Sequence, residues 1–273
     1  MMNRLALILS YLLLVGLVSG QSSVRVAVAQ IFCLDGDREG NFRRIENALE
    51  EAAQQGAAIV CFPEMSLLGW VNPDAHQLSF PIPGSDSDRL SELARQYQVY
   101  VCIGLGEKEN ENLYDAAILI SDEGKILAKH RKNNILSELM DPPYTPGNGI
   151  TVVDTKFGRI GLLICADSFL EDNLIAVRRQ HPDLVLIPYG WAAKEKEWPQ
   201  HGEELHKTIR NAASKIACPI VGTDLVGTIS HGPWTGQVYG GQSAVIDQNG
   251  LMLGSCRDRD RHVFVVDIEL NRH

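Results

Sequence analysis

The sequence predicts an α/β fold, two mixed sheets covered by helices, and three observations carry that prediction. Strand-like and helix-like segments alternate along the chain. Two runs, 57–62 and 184–187, are apolar at every position, the pattern of strands buried on both faces. Turn signals at Asp122-Glu123-Gly124 and Lys156-Phe157-Gly158 join neighbouring runs as hairpins, so antiparallel strands enter the same sheets. A chain of 273 residues, 45% hydrophobic and 22% charged, can bury such a core in one large domain.

Each element has a local reason. Val24-Arg25-Val26-Ala27-Val28 alternates and reads as the first strand. Phe42, Ile45, Leu49 and Ala52 recur at three- and four-residue steps, which predicts a helix ended by Gly56. The apolar strand 57–62 stops at Pro63. Leu90, Leu93 and Tyr97 place a second helix, with Ser85 to Ser87 available to cap it, before a strand at 99–103. Residues 113–120 and 125–128 form the first hairpin, and 151–154 with 160–164 the second. A third helix is expected over 169–180, followed by the strand 184–187 ended by Pro188. Leu205, Ile209, Ala212 and Ile216 mark a fourth helix, and 219–222, 243–247, 250–253 and 263–268 read as strands. No linker, repeat or low-complexity segment interrupts residues 23–270.

The amino terminus reads as an address. Arg4 precedes an apolar stretch, and Val18-Ser19-Gly20 offers small residues before the polar Gln21-Ser22-Ser23. Residues 1–20 are therefore expected to be a signal peptide, leaving 21–273 as a mature domain that is secreted or periplasmic. An uncleaved anchor is disfavoured, because about 16 helical residues reach about 24 Å against a roughly 30 Å hydrocarbon core, and no stable membrane insertion is expected after cleavage.

Charge excludes other partners. Lys plus Arg number 25 against 34 Asp plus Glu, a formal charge of −9, and no basic run exceeds Lys129-His130-Arg131-Lys132. A nucleic-acid partner is excluded on that balance. Cys33, Cys61, Cys102, Cys165, Cys218 and Cys256 show no metal-ligand spacing, and few or no disulfides are expected in a chain this long.

Three residues at strand ends stand out as candidates for chemistry, since layered α/β proteins build sites there. Cys165 closes the run Gly161-Leu162-Leu163-Ile164 and precedes Ala166-Asp167 and a helix, whose amide dipoles would favour thiolate. Glu64 lies between Cys61-Phe62-Pro63 and Met65-Ser66-Leu67-Leu68, an apolar flank suited to a carboxylate acting as a general base. Lys132 ends the basic run. Taken singly, each also has an ordinary reading: a core thiol, a surface acid and a solvated charge.

Taken together with the rest of the chain, these residues resemble the nitrilase, or carbon-nitrogen hydrolase, superfamily. The matching pieces run in order. They are Ala27-Val28-Ala29-Gln30, Gly56 through Phe62-Pro63-Glu64, Gly124-Lys125-Ile126 leading to His130-Arg131-Lys132, Tyr144-Thr145-Pro146-Gly147, Ile164-Cys165-Ala166-Asp167, and Gly241-Gln242-Ser243. The resemblance implies a four-layer α-β-β-α sandwich, assembly as a homodimer or higher homo-oligomer, and a catalytic triad of Glu64, Lys132 and Cys165. It implies no metal and no cofactor. In such a site the Cys165 thiolate attacks an amide carbon to form a thioester, and Glu64 moves the protons. Lys132 and the backbone N–H of Ala166 stabilise the oxyanion.

Departures refine the expectation. Ala166-Asp167 stands where nitrile-cleaving members carry Trp-Glu, which favours amides, and the arginine of the amidase pattern Cys-x-Asp-x-Arg is absent from Ser168-Phe169-Leu170. The family's second glutamate is also displaced: Met140 occupies its usual offset from Pro146, and Glu138 is the expected substitute. Trp191, after the strand ended by Pro188, is expected at the substrate, and Trp234 in a loop. The leading expectation is an exported thiol hydrolase of a small linear amide or carbamoyl compound. An amine-accepting N-acyltransferase using the same thioester and a non-catalytic binding protein on the same scaffold are the alternatives.

Overall fold

The computed structural model describes residues 22–270, so the expected signal segment and its cleavage point lie outside the described residues. The first strands in chain order are β1 (Ser22–Gln30), β2 (Ile59–Cys61), β3 (Tyr100–Glu109), β4 (Asn112–Ile120) and β5 (Ile126–Arg131). They are followed by β6 (Thr151–Thr155), β7 (Gly158–Leu162), β8 (Leu184–Pro188), β9 (Ala192–Ala193) and β10 (Ile220–Thr223). The last are β11 (Val226–Thr228), β12 (Val238–Gly240), β13 (Ala244–Ile246), β14 (Met252–Ser255) and β15 (His262–Leu270).

One six-stranded sheet has the order β15-β1-β2-β3-β4-β5 and a second the order β14-β13-β10-β8-β7-β6. Both are mixed: β1, β2 and β3 run parallel in the first, β7, β8 and β10 in the second, and the flanking strands are antiparallel. The sheets pack face to face through Val26, Val28, Ile59 and Cys102 on one side and Ile160, Leu162, Leu186 and Val221 on the other.

Helices close both outer faces. Helix α1 (Arg38–Gln54) starts where Asp37 accepts from the Gly40 N–H, and Ile45, Leu49 and Ala52 turn inward at the expected spacing. After the short α2 (Ala75–Leu78), α3 (Ser85–Tyr97) adds Leu90 and Leu93 to the same core. Helices α4 (Glu171–Arg178) and α5 (Gln200–Ile216) cover the second sheet with Leu174, Val177, Leu205, Ile209 and Ile216. The four layers are thus α-β-β-α, as expected.

Three local differences bear on the site. The third helix is split: a tight 3₁₀ turn spans Cys165–Phe169 and α4 begins only at Glu171. Strand β3 continues to Glu109, past the expected 103, because its second half pairs with β4. A third sheet, β11-β12-β9, was not expected, its strands being two or three residues long. All six cysteines are buried and free.

Candidate active site

The ends of β2, β5 and β7 converge, and the segments just beyond them carry the three candidate residues. Glu64 follows β2 through Phe62-Pro63, and its backbone N–H donates to Tyr189 O at 3.2 Å, joining the strand end of one sheet to that of the other. Gly104 makes this approach feasible, since a Cβ there would lie 2.5 Å from the Glu64 Cα. Lys132 follows β5, its N–H donating to Asp115 O at 2.8 Å. Cys165 opens the 3₁₀ turn with φ +41°, a left-handed conformation costly for a side-chain-bearing residue.

One carboxylate holds two of these segments in register. Asp167 Oδ1 accepts from the backbone N–H groups of Asn133 (2.8 Å) and Asn134 (2.9 Å), immediately after Lys132. Asp167 Oδ2 accepts from Ile164 N–H at 3.1 Å, immediately before Cys165, and pairs with His130 Nε2 at 2.9 Å. The acid of Cys-x-Asp therefore ties the lysine segment to the cysteine turn.

At the base of the site lies a closed charge cluster. Lys132 Nζ donates to Glu64 Oε1 in a short contact and to Asp115 Oδ2 at 3.3 Å, with all three side chains at most 1% exposed. Burial alone would lower the Lys132 value, but Glu64 and Asp115 outweigh it and hold the ammonium well above 10.5. Asp115 is pushed well above the usual carboxylate range by burial and then by the Glu64 charge, with Lys132 opposing. Two buried oxygens, Glu64 Oε2 and Asp115 Oδ1, have no hydrogen-bond partner.

The thiol differs from expectation. A helix start predicts stabilised thiolate, yet Cys165 is pushed well above 9.0, first by burial and then by the Glu64 charge. Lys132 and the Gly190 N–H act in the opposite direction without prevailing. A turn of five residues, Cys165–Phe169, has little macrodipole to set against desolvation. Ala166, the second residue of this turn, sits where backbone N–H groups have no acceptor within the helix.

Glu138 does not join the cluster. It is exposed, in a 3₁₀ turn at Ser137–Leu139, while Met140 is buried. A hydrated surface carboxylate cannot orient a buried ammonium; the second acid paired with Lys132 is Asp115. Its signal was a lone acid inside the apolar strand 113–120, since Asp is rarely buried without a partner.

Above Cys165 opens a cavity of about 170 Å³ whose walls include Trp70, Trp191, Trp234, Phe169, Leu136 and Leu139. Trp191 is one of the residues that line this cavity. Its backbone N–H donates to Asp224 Oδ1 at 2.6 Å, its Nε1 to His201 O at 3.1 Å, and its ring stacks on His201 at 5.1 Å. Trp234 lies in a loop, but its ring meets Trp70 edge-on at 5.3 Å and lines the cavity. No periodicity signals Trp70, Phe169 or Trp234, because chain-distant segments bring them together.

A four-layer sandwich with an acid, a lysine and a thiol gathered at one end of its sheets defines a class of hydrolases that act on carbon–nitrogen bonds. The chain belongs to the carbon-nitrogen hydrolase family, whose model matches residues 25–273. It is similar to Nitrilase 3 of Arabidopsis thaliana, 25% identical over 93% of this chain and 81% of the relative. It is also similar to the (R)-stereoselective amidase of Pseudomonas sp, 28% identical over 90% and 86%. An amidase from Nesterenkonia sp. of known structure shares the fold, with a TM-score of 0.79 at 23% identity and 93% coverage of both chains. The protein is a hydrolase of carbon–nitrogen bonds other than peptide bonds.

Proposed function

We propose that the protein hydrolyses a small linear amide through a thioester on Cys165. The observation that carries this reading is the unpartnered, buried Glu64 Oε2 beside the Lys132 ammonium and the buried Cys165 thiol. Glu64 Oε1 is committed to Lys132, which leaves Oε2 as the lone pair available for proton transfer. A thiol that rests protonated needs such a base. Glu64 takes the Sγ proton as sulfur attacks the carbonyl carbon, and Lys132 with the Ala166 N–H receives the charge developing on oxygen. The C–N bond then breaks as Glu64 returns that proton to the leaving nitrogen, releasing ammonia or an amine. Water, deprotonated by Glu64, cleaves the thioester and restores the thiol.

Asp115 shares Lys132 with Glu64 and fixes the ammonium between two acids. Amides are favoured over nitriles by Ala166-Asp167 after the nucleophile, and the (R)-stereoselective amidase relative supports the same choice. On the amino-terminal pattern the chain is exported with cleavage after Gly20, and it assembles as a homodimer or larger oligomer. The deciding experiment is ammonia release from a panel of short amides, ureido compounds and one nitrile, run with wild type and Cys165→Ala. Release from an amide that vanishes in the variant supports the reading. Release that persists in Cys165→Ala overturns it, and consumption of the amide only when an amine acceptor is present replaces hydrolysis with acyl transfer.

A further inference from the structure

The cavity above Cys165 is walled by rings and aliphatic side chains, and among the described residues lining it there is no Arg, Lys, Asp or Glu. Its one titratable wall residue besides the cysteine is His201, which burial holds below 6.5 and therefore neutral at pH 7. The nearest cation in the machinery, Lys132, faces Glu64 and Asp115 and is not among the residues that line the cavity.

Two of the wall residues are also held in place. Trp191 is held at its backbone, its indole N–H and its ring face, as described above. The backbone of Trp70 is bracketed by Tyr239, whose hydroxyl accepts from Trp70 N–H at 3.2 Å and donates to Trp70 O at 3.3 Å. Phe169 packs edge-on against Trp191 at 5.6 Å and is 44% exposed, which places it at the rim. A rigid apolar wall rewards apolar burial and offers an anion no donor in exchange for its hydration shell.

Resting on the amidase reading, we infer that the acyl group of the substrate is uncharged and apolar, and that the pocket rejects amides whose acyl part carries a carboxylate. The volume sets the scale of that group. A cavity of about 150 Å³ holds one benzene, so the 170 Å³ here suits a branched four- or five-carbon chain or a single small ring. N-Carbamoyl amino acids, which bring a carboxylate close to the scissile bond, fall outside this class.

The test is a pair of amides matched in shape: isovaleramide, with an isopropyl group, and malonamate, with a carboxylate in the same position. Wild type should show kcat/KM for isovaleramide at least about a hundredfold above malonamate. Phe169→Arg, a change at the exposed rim, should narrow that ratio by about tenfold or more through its new cation. Malonamate turned over within about tenfold of isovaleramide by wild type overturns the inference while leaving the hydrolase reading intact. If neither amide is consumed, the small-amide reading fails and binding decides the pocket. Saturable quenching of tryptophan fluorescence in Cys165→Ala by isovaleramide and not by malonamate upholds the inference; equal quenching or none overturns it.

Discussion

Replacing Lys132 with Met removes the cation from a box that holds two buried carboxylates. Both acids are 0% exposed, and Lys132 opposes the upward push that burial and the Glu64 charge exert on Asp115. Removing one partner of a buried ion pair costs roughly 3–5 kcal/mol. At roughly 2–4 °C per kcal/mol for a domain of this size, the melting temperature should fall by about 6–20 °C. The deficit should also depend on pH. A carboxyl whose folded value lies above its ordinary 3.8 keeps a proton in the folded state that it gives up on unfolding, so stability falls as pH rises between the two values. Lys132→Met raises the folded value further, and the gap to wild type should widen as pH rises from the wild-type folded value towards the variant's. Lys132 adds no slope of its own in that window, because its stabilisation is fully present below 10.5 and is lost only as pH climbs through its higher folded value. Adding Asp115→Asn removes one of the two buried acids left without a cation and should recover part of the lost melting temperature. Turnover should fall about 10²–10³-fold with KM little changed, the mark of a donor that acts on the transition state. Differential scanning fluorimetry at stepped pH and ammonia-release kinetics read both effects. A melting deficit that stays flat with pH, or a kcat within about threefold of wild type, would refute the reasoning.

Three further outcomes follow from the same geometry. Glu64→Gln keeps the shape of the side chain but removes its basicity, so kcat should drop by about 10²–10⁴ while KM stays nearly constant in the same ammonia assay. Because burial and the Glu64 charge push Cys165 up, its reaction with a neutral aromatic disulfide in the free enzyme should still be accelerating at pH 9; a plateau below pH 7 would show a resting thiolate instead. Asp167→Ala strands three backbone N–H groups and His130, and at about 1–3 kcal/mol for each of the two fully buried ones, Ile164 N–H and His130, the melting temperature should fall by more than about 4 °C.

How much of this was legible depended on whether a residue's partners are near in the chain or only in space. Glu64, Lys132 and Cys165 sit at strand ends marked by Pro63, the basic run and the turn after Ile164, so their placement could be read from local pattern. Asp115 could not be assigned, because the register that sets it beside Lys132 comes from the pairing of Ala116 with Arg131 across β4 and β5. Glu138 was chosen by its distance along the chain from Pro146, and a 3₁₀ turn that leaves it exposed defeats that measure. The direction of the thiol shift depended on burial depth, which a helix-start argument does not contain. The third sheet has strands too short for a period of two to register, and the aromatic wall joins residues 70, 169, 191 and 234, whose proximity only the closed sandwich creates.

The central claim is that Cys165 carries the acyl group between two half-reactions, and trapping that group tests it most directly. Wild-type enzyme mixed with a short apolar amide and quenched in acid within the first turnover should gain the mass of the acyl group. The gain should map to the peptide containing Cys165, be released by hydroxylamine, and be absent from Cys165→Ala. Rapid turnover with no adduct on Cys165, alongside a Cys165→Ala variant that still releases ammonia, would contradict the account.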